Sequence, residues 1–156
     1  AIKYFESLVQ VSDAIVAHNA EFDIKWFGLK KLPPIEKPWI CSMDDITWPS
    51  DKQLKNRPSV KDLALAHGVP VWNAHRALTD CIYLAEVFKR CSELEKLLIR
   101  ALEPKVLLRA EISYDKRHLA KNAGFRWNDA IKGAWSRKMS RRDIEKLEFP
   151  VHEVDF

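Results

Sequence analysis

Two short, uninterrupted apolar runs constrain the fold of this chain most strongly. Residues 14–17 (Ala-Ile-Val-Ala) form the first run, and residues 39–41 (Trp-Ile-Cys) form the second. Such runs are typical of strands that are buried on both faces of a parallel sheet. Helices are predicted over residues 2–11, 60–67 and 76–102, so strands and helices alternate. The sequence therefore predicts an α/β core with a parallel element.

Helical spacing predicts which apolar side chains lie in this core. Phe22 and Trp26 fall on one face of a predicted helix, and we expect both to be core residues. The residues expected on the inner face of the long helix over residues 76–102 are Leu78, Ile82, Ala85, Val87 and Phe88. Cys91-Ser92 is a candidate break in that helix.

The helix over residues 60–67 has a start signal of its own. Ser59 is followed three residues later by Asp62, just ahead of an apolar stretch. In a capping box, each of these two side chains accepts a hydrogen bond from the other residue's backbone N–H. The sequence therefore predicts that this helix begins directly after Ser59 and stops at Gly68.

Composition and cysteine usage exclude several classes of protein. An apolar content of 47% excludes a wholly disordered chain. No run approaches the roughly 18 apolar residues that a membrane span needs. The three cysteines are odd in number and have no close metal-type spacing, which favours reduced thiols over a secreted disulfide scaffold. We therefore predict a cytoplasmic protein without a membrane partner.

The charge distribution divides the chain in two, with Pro104 as the predicted boundary. Residues 1–104 contain 14 basic and 14 acidic side chains, whereas residues 105–156 contain 12 and 8 and so carry the whole net charge of +4. Attraction for a polyanion is therefore confined to the second part. We expect a domain over residues 1–103 and a small basic α+β module over 105–156. The module's predicted order is β-α-β-α-β, with strands over 106–112, 133–139 and 151–156 and helices over 116–123 and 141–147.

Two segments hold the residues that could carry chemistry. The first, His18 to Asp23, follows the first predicted strand, and the second, His75 to Asp80, begins the long helix. Polar groups at the carboxyl ends of parallel strands face the crevice where α/β sheets bind ligands. Two aspartates and a histidine suit metal-assisted phosphodiester hydrolysis, with carboxylates holding cations and the imidazole deprotonating water. Taken singly, Asp23 could be a first-turn helix charge, and His75 and Asp80 could be surface residues.

The two segments together resemble the second and third motifs of the DEDDh, or DnaQ-like, 3′–5′ exonucleases. The matching patterns are His18-Asn19-Ala20-x-Phe22-Asp23 and His75-Arg76-Ala77-Leu78-x-Asp80. The resemblance covers roughly residues 1–103 and implies a partial ribonuclease H-like fold. It also implies two Mg²⁺ or Mn²⁺ ions and the removal of nucleoside monophosphates from the 3′ ends of single-stranded DNA or RNA.

The resemblance assigns roles residue by residue. Asp23 and Asp80 would be metal ligands, His75 would be the general base, and Asn19 would contact the nucleic acid. The sequence leaves open whether the substrate is DNA or RNA, because that choice depends on how a site treats the 2′-hydroxyl. It also leaves open whether the biological role is proofreading, repair or RNA processing.

One part of the family pattern does not occur in its expected place. The first motif, Asp-x-Glu followed by Thr or Ser, should precede residue 1, so we expect these 156 residues to be part of a longer protein and to be inactive alone. The chain's Asp143-Ile144-Glu145 is followed by lysine and is better interpreted as a solvated helix face. A second function therefore stays open: a nucleic-acid-binding protein whose nuclease domain is degenerate.

The basic module interleaves cations with aromatic rings. Residues 119–135 resemble a small β-α-β module (Leu-Ala-Lys-x-x-Gly-x-Arg-Trp, then a further Trp) that recurs in proteins handling nucleic acids. Single-strand binding uses such a pattern, because phosphates meet cations while bases stack on rings. The alternative is that both tryptophans belong to the core of a small module. The predicted nucleic-acid contacts are Arg126, Trp127, Lys132, Trp135, Arg137 and Lys138.

Overall fold

The computed structural model describes residues 2–29, 32–72 and 76–155. The chain divides into two compact units, residues 1–102 and 103–156, and the division falls beside Pro104. Both units combine helices with strands, so the protein is of mixed α/β class, in agreement with the broad fold prediction. In the described part of the chain, no helix is both long enough and apolar enough to cross a membrane.

The first unit alternates short strands with helices. Its two strands, β1 (Ile15–Ala17) and β2 (Trp39–Cys41), pair in parallel, with Val16 opposite Ile40. This pairing confirms the predicted parallel element. The helices are α1 (Ile2–Val11), α2 (Ala20–Ile24), α3 (Val60–Ala66), α4 (Ala77–Arg90) and α5 (Leu94–Ala101).

The capping box at the start of α3 is present as predicted. The Asp62 backbone N–H donates to the Ser59 hydroxyl oxygen at 3.1 Å, and the Ser59 backbone N–H donates to the Asp62 carboxylate at 2.9 Å. Behind this start, Leu63 packs with Tyr83 and Val87 of α4 in the main core of the unit. The cap therefore fixes where α3 begins, and the apolar face of α3 fixes how α4 packs.

The predicted core positions of Phe22 and Trp26 are wrong. Their side chains are 52% and 54% exposed, respectively. The reason is that α2 is little more than one turn long, and the Trp26 N–H already bonds three residues back, to the Asp23 carbonyl at 3.0 Å. The regular helical spacing therefore does not continue through Trp26. Phe27 packs instead, with its ring 5.4 Å from that of Trp39 between centroids.

The predicted inner face of α4 is also wrong in part. Leu78, Ile82 and Ala85 are exposed, whereas Val87 is buried and Phe88 packs against the core as predicted. Tyr83 and Leu84 are also buried. α3 packs on the side of α4 that carries the buried residues, which places Leu78 and Ile82 away from that contact. The break at Cys91 is confirmed, since α4 ends at Arg90 and α5 begins at Leu94.

The second unit is a four-stranded antiparallel sheet in the order β4-β5-β3-β6. Its core contains Leu108, Ala120, Phe125, Met139 and Phe149. The order along the chain follows the prediction, with the addition of β4, a two-residue strand that the sequence did not predict. The elements are β3 (Lys105–Ala110), α6 (Arg117–Asn122), β4 (Arg126–Trp127), β5 (Trp135–Ser140), α7 (Arg141–Ile144) and β6 (Val151–Val154).

Candidate functional site

The carboxyl ends of β1 and β2 bring polar side chains to one edge of the parallel pair. His18 directly follows β1, and Ser42 directly follows β2. The Ser42 backbone N–H donates to the Ala17 carbonyl at 2.9 Å, which extends the pairing beyond the strands. The Nδ1 atom of His18 then lies 3.0 Å from the Ser42 hydroxyl oxygen. This edge is the place where ligands bind to open α/β sheets.

Asn19 makes the turn that starts α2. Its φ angle is +65°, in the left-handed region that Asn tolerates better than most residues. Its side chain makes no capping hydrogen bond to α2 and is exposed. The predicted contact between Asn19 and nucleic acid stays a prediction, and its amide is accessible for it.

Asp23 is held in α2, just beyond this turn. Its carboxyl group is half-buried, and this burial raises the pKa of Asp23 above its ordinary value. The ionised form of this carboxylate is less well solvated than it would be in water, which disfavours ionisation. A bound cation would offset that effect, because an opposite charge nearby favours the ionised form.

Asp80 lies in the first turn of α4, where its backbone N–H donates to the Arg76 carbonyl at 2.8 Å. Its carboxylate is close enough to His18 to act on the imidazole through its charge. Burial lowers the pKa of His18, and the negative charges of Asp80 and Asp44 partly oppose that shift. The two sequence segments that carry the candidate chemistry are therefore linked by the effect of the Asp80 charge on His18.

His75, the predicted general base, lies outside the described residues. The described donors near the site are carboxylates, which is the type of ligand that Mg²⁺ prefers. Within residues 2–29, 32–72 and 76–155, however, no three His, Cys, Asp or Glu side chains form a group that could hold a metal ion. Asp23 and Asp80 thus fit a divalent cation by type, but the described residues do not complete a two-ion site.

A second polar cluster, which the sequence patterns did not reveal, follows β2. Asp44 forms an ion pair with Arg57 at 2.6 Å, and both charges act on His18. The Asp45 carboxylate accepts a hydrogen bond from the Cys41 backbone N–H at 2.7 Å, which fixes the turn after β2. A signal for the acidic half was present, because the two aspartates come within four residues of the end of an apolar strand, the same kind of position that His18 has after β1. Arg57 could not have been found, since it comes from a loop distant in sequence.

The Asp143-Ile144-Glu145 sequence shows the features of a helix face. Asp143 belongs to the one-turn helix α7, and its carboxylate pairs with Lys146 at 2.6 Å. Glu145 is exposed at the end of that helix. An i,i+3 ion pair of this kind explains the acidic residues without a role in catalysis.

In the second unit, the predicted nucleic-acid contacts Arg137 and Arg126 have partners within the protein. The Arg137 guanidinium donates to the Ala123 carbonyl at the end of α6 and lies so close to Gly124 that a Cβ there would approach it to 3.1 Å. Arg126 forms an ion pair with Asp129 at 2.9 Å. Arg137 therefore has a structural role in holding the end of α6. Lys132 and Lys138 are exposed.

The two tryptophans of the module differ in burial. Trp127 is 57% exposed, so the alternative that it belongs to the core is wrong. Trp135 is half-buried and packs against the core of the unit. The two residues pair across β4 and β5, and their ring centroids are 5.9 Å apart.

An open groove of about 420 Å³ lies beside Trp135 and is lined by Asp115, Arg117, His118, Lys121 and Trp135.

Comparison with known proteins gives a match for one segment of the chain. Residues 106–154, which run from β3 to β6, match the family model of a domain of unknown function, DUF8626. No curated protein and no solved structure gives a significant match to the chain.

Proposed function

We propose that the chain belongs to a DEDDh-type 3′–5′ exonuclease, which hydrolyses the terminal phosphodiester bond of a nucleic acid and releases nucleoside monophosphates. The observation that supports this proposal is the position of His18, which follows β1 and contacts the Ser42 hydroxyl at the carboxyl end of the parallel pair. Asp80, from the other motif of the resemblance, acts on the His18 imidazole through its charge. In this proposal the first unit is the later part of a ribonuclease H-like domain.

Each residue has a chemical task in the proposed site. The ionised carboxylates of Asp23 and Asp80 hold divalent cations, Mg²⁺ or Mn²⁺, and orient the 3′ end next to them. Such cations, when bound, activate water and stabilise the charge that develops on the phosphate. His75 takes the proton from the attacking water, and the exposed amide of Asn19 contacts the terminal nucleotide.

The described residues supply fewer carboxylates than a two-ion site uses. The family's Asp-x-Glu motif would supply the others, and we propose that it lies outside these 156 residues. The chain by itself would then bind a cation weakly and hydrolyse nothing. The proposed partners are 3′ ends of single-stranded DNA or RNA in the cytoplasm.

A second function, a nucleic-acid-binding protein with a degenerate nuclease domain, is favoured by a separate observation. The net positive charge lies in residues 105–156, and several of its cationic side chains are exposed beside aromatic rings. Binding of a strand by this unit requires no cation in the first unit. The two functions differ in whether Asp23 and Asp80 act together on a metal ion.

A cation titration separates the two functions. Binding of Mn²⁺ to the full chain, followed by electron paramagnetic resonance, should weaken at least about tenfold in Asp23→Asn and in Asp80→Asn, since each variant removes a charged ligand. Asp13→Asn and Asp51→Asn are the matched controls, because each removes one carboxylate elsewhere in the first unit. Equal Mn²⁺ affinity in all five proteins would refute the nuclease proposal and favour the binding function.

A further inference from the structure

The groove beside Trp135 combines one predicted nucleic-acid contact, Trp135 itself, with cationic side chains of α6 that are not among the predicted contacts. It is open, has a volume of about 420 Å³, and is lined by Arg117, His118 and Lys121 together with one carboxylate and one indole. Arg117 and Lys121 are one helical turn apart on α6, so their charges lie on the same side of that helix. The predicted contacts of the second unit lie instead in β4, β5 and the loop between them.

The cationic side of the groove is held in place by local contacts. The guanidinium of Arg117 lies over the Tyr114 ring at 3.7 Å from its centroid, and it donates a hydrogen bond to the Tyr114 carbonyl at 2.8 Å. The Nδ1 atom of His118 lies 3.3 Å from the Asp115 carbonyl. A carbonyl only accepts, so Nδ1 is the donor there, and Nε2 is left for a ligand. Arg117 and His118 therefore lose little side-chain entropy when an anion binds.

The aromatic side of the groove is also fixed. Trp135 begins β5, pairs with Trp127 of β4 and packs against the core of the unit. An indole anchored in this way presents a fixed surface on which a base can stack. The Asp115 carboxylate at the rim can accept a hydrogen bond from the amino group of a base or from a sugar hydroxyl.

We propose that this groove binds one nucleotide of a single-stranded nucleic acid, with the base against Trp135 and the adjacent phosphates at Arg117 and Lys121. Stacking and phosphate binding at one site is the combination that sequence-tolerant single-strand binding requires. Because the groove is built from the second unit alone, it can bind a strand whether or not the first unit is a nuclease.

The test measures binding of the full chain to fluorescein-labelled dT12 and rU12 by fluorescence anisotropy at several salt concentrations. Lys121→Glu should weaken binding on the order of tenfold at low salt. It should also reduce the slope of log K against log salt by about 0.7, because one phosphate is no longer neutralised. Lys132→Glu makes the same charge change in the loop after β4, and Lys61→Glu makes it in α3. We expect a smaller effect from Lys132→Glu and none from Lys61→Glu.

Tryptophan fluorescence reports on the base. Adding dT12 should quench the fluorescence of the wild-type chain and of Trp127→Phe, and the quenching should disappear in Trp135→Phe, which keeps an aromatic ring in the core. Circular dichroism checks that each variant is folded. Full binding by Lys121→Glu, or undiminished quenching in Trp135→Phe, would overturn the proposal. Binding of AMP without binding of either oligonucleotide would also overturn it, in favour of a free nucleotide.

Discussion

At the scale of single residues, His18 connects the two segments of the candidate site. It follows β1, contacts the buried Ser42 hydroxyl, and interacts with the charge of Asp80 at the start of α4. Burial lowers the pKa of His18, so the imidazole is neutral at neutral pH. Because the folded state then binds this proton less well than the unfolded state does, stability is present above about pH 6.5 and is lost as the pH falls through the lowered pKa.

The interaction between His18 and Asp80 can be tested directly. The Asp80 carboxylate stabilises the imidazolium, so Asp80→Asn should lower the pKa of His18 further. An NMR titration of the His18 ring protons measures this shift. Asp51→Asn, which removes an exposed carboxylate elsewhere in the same unit, should leave the pKa of His18 unchanged. An unchanged or raised pKa in Asp80→Asn would show that the two residues do not meet.

Candidate site residues could be predicted from the sequence only where local order marks them. Asp23 and Asp80 are such candidates, because each lies at a fixed offset within its motif, next to a strand end or a helix start. The ion pair of Asp44 with Arg57 depends on the path of the loop that follows β2, including a positive φ angle at Arg57. No short-range pattern encodes that path, so the charges that surround His18 became visible only in the fold.

At the scale of elements, strong local signals set the boundaries. α3 begins after Ser59 because the capping box satisfies backbone N–H groups that the first turn leaves without partners. The faces of helices were less predictable, because they depend on which neighbour packs against them. α3 packs against Tyr83 and Val87, and Leu78 and Ile82 are exposed for this reason. β4 was missed because two residues are too few to show an alternating pattern.

The capping box provides a stability prediction for α3. Ser59→Ala should lower the free energy of unfolding by about 0.5–2 kcal/mol, the usual cost of losing a cap.

The Ser59 backbone N–H and, less strongly, Lys55 lower the pKa of Asp62 to about 2. The stability that Asp62 contributes is therefore present above about pH 3.8 and is lost as the pH falls through about 2.

Urea unfolding at neutral pH measures the effect of the cap. Ser92→Ala is the matched control, because Ser92 is exposed in the turn between α4 and α5. We expect the midpoint of Ser59→Ala to fall and the midpoint of Ser92→Ala to stay within error of the wild type. Equal midpoints for all three proteins would mean that the cap contributes nothing to the stability of the fold.

At the scale of the whole molecule, the charge split and the Pro104 position indicated two parts, and the structure divides the chain at the same place. The order β4-β5-β3-β6 of the second sheet could not be predicted, since it depends on pairings between strands distant in sequence. The two units suggest separate tasks within the proposed function. Asp23 and Asp80 of the first unit would act at the 3′ end, and the groove beside Trp135 would hold the strand.

The central claim is that Asp23 and Asp80 take part in cation-dependent hydrolysis. It is tested most directly by release of nucleoside monophosphates from a 3′-labelled single strand in Mg²⁺ or Mn²⁺. The 156 residues alone should release almost nothing, whereas a version preceded by a segment with the Asp-x-Glu motif should be active. In that version Asp23→Ala and Asp80→Ala should nearly abolish release, and His75→Ala should slow it on the order of 10²–10⁴-fold. No release by the extended version, or release that survives the removal of Asp23 and Asp80, would contradict the claim.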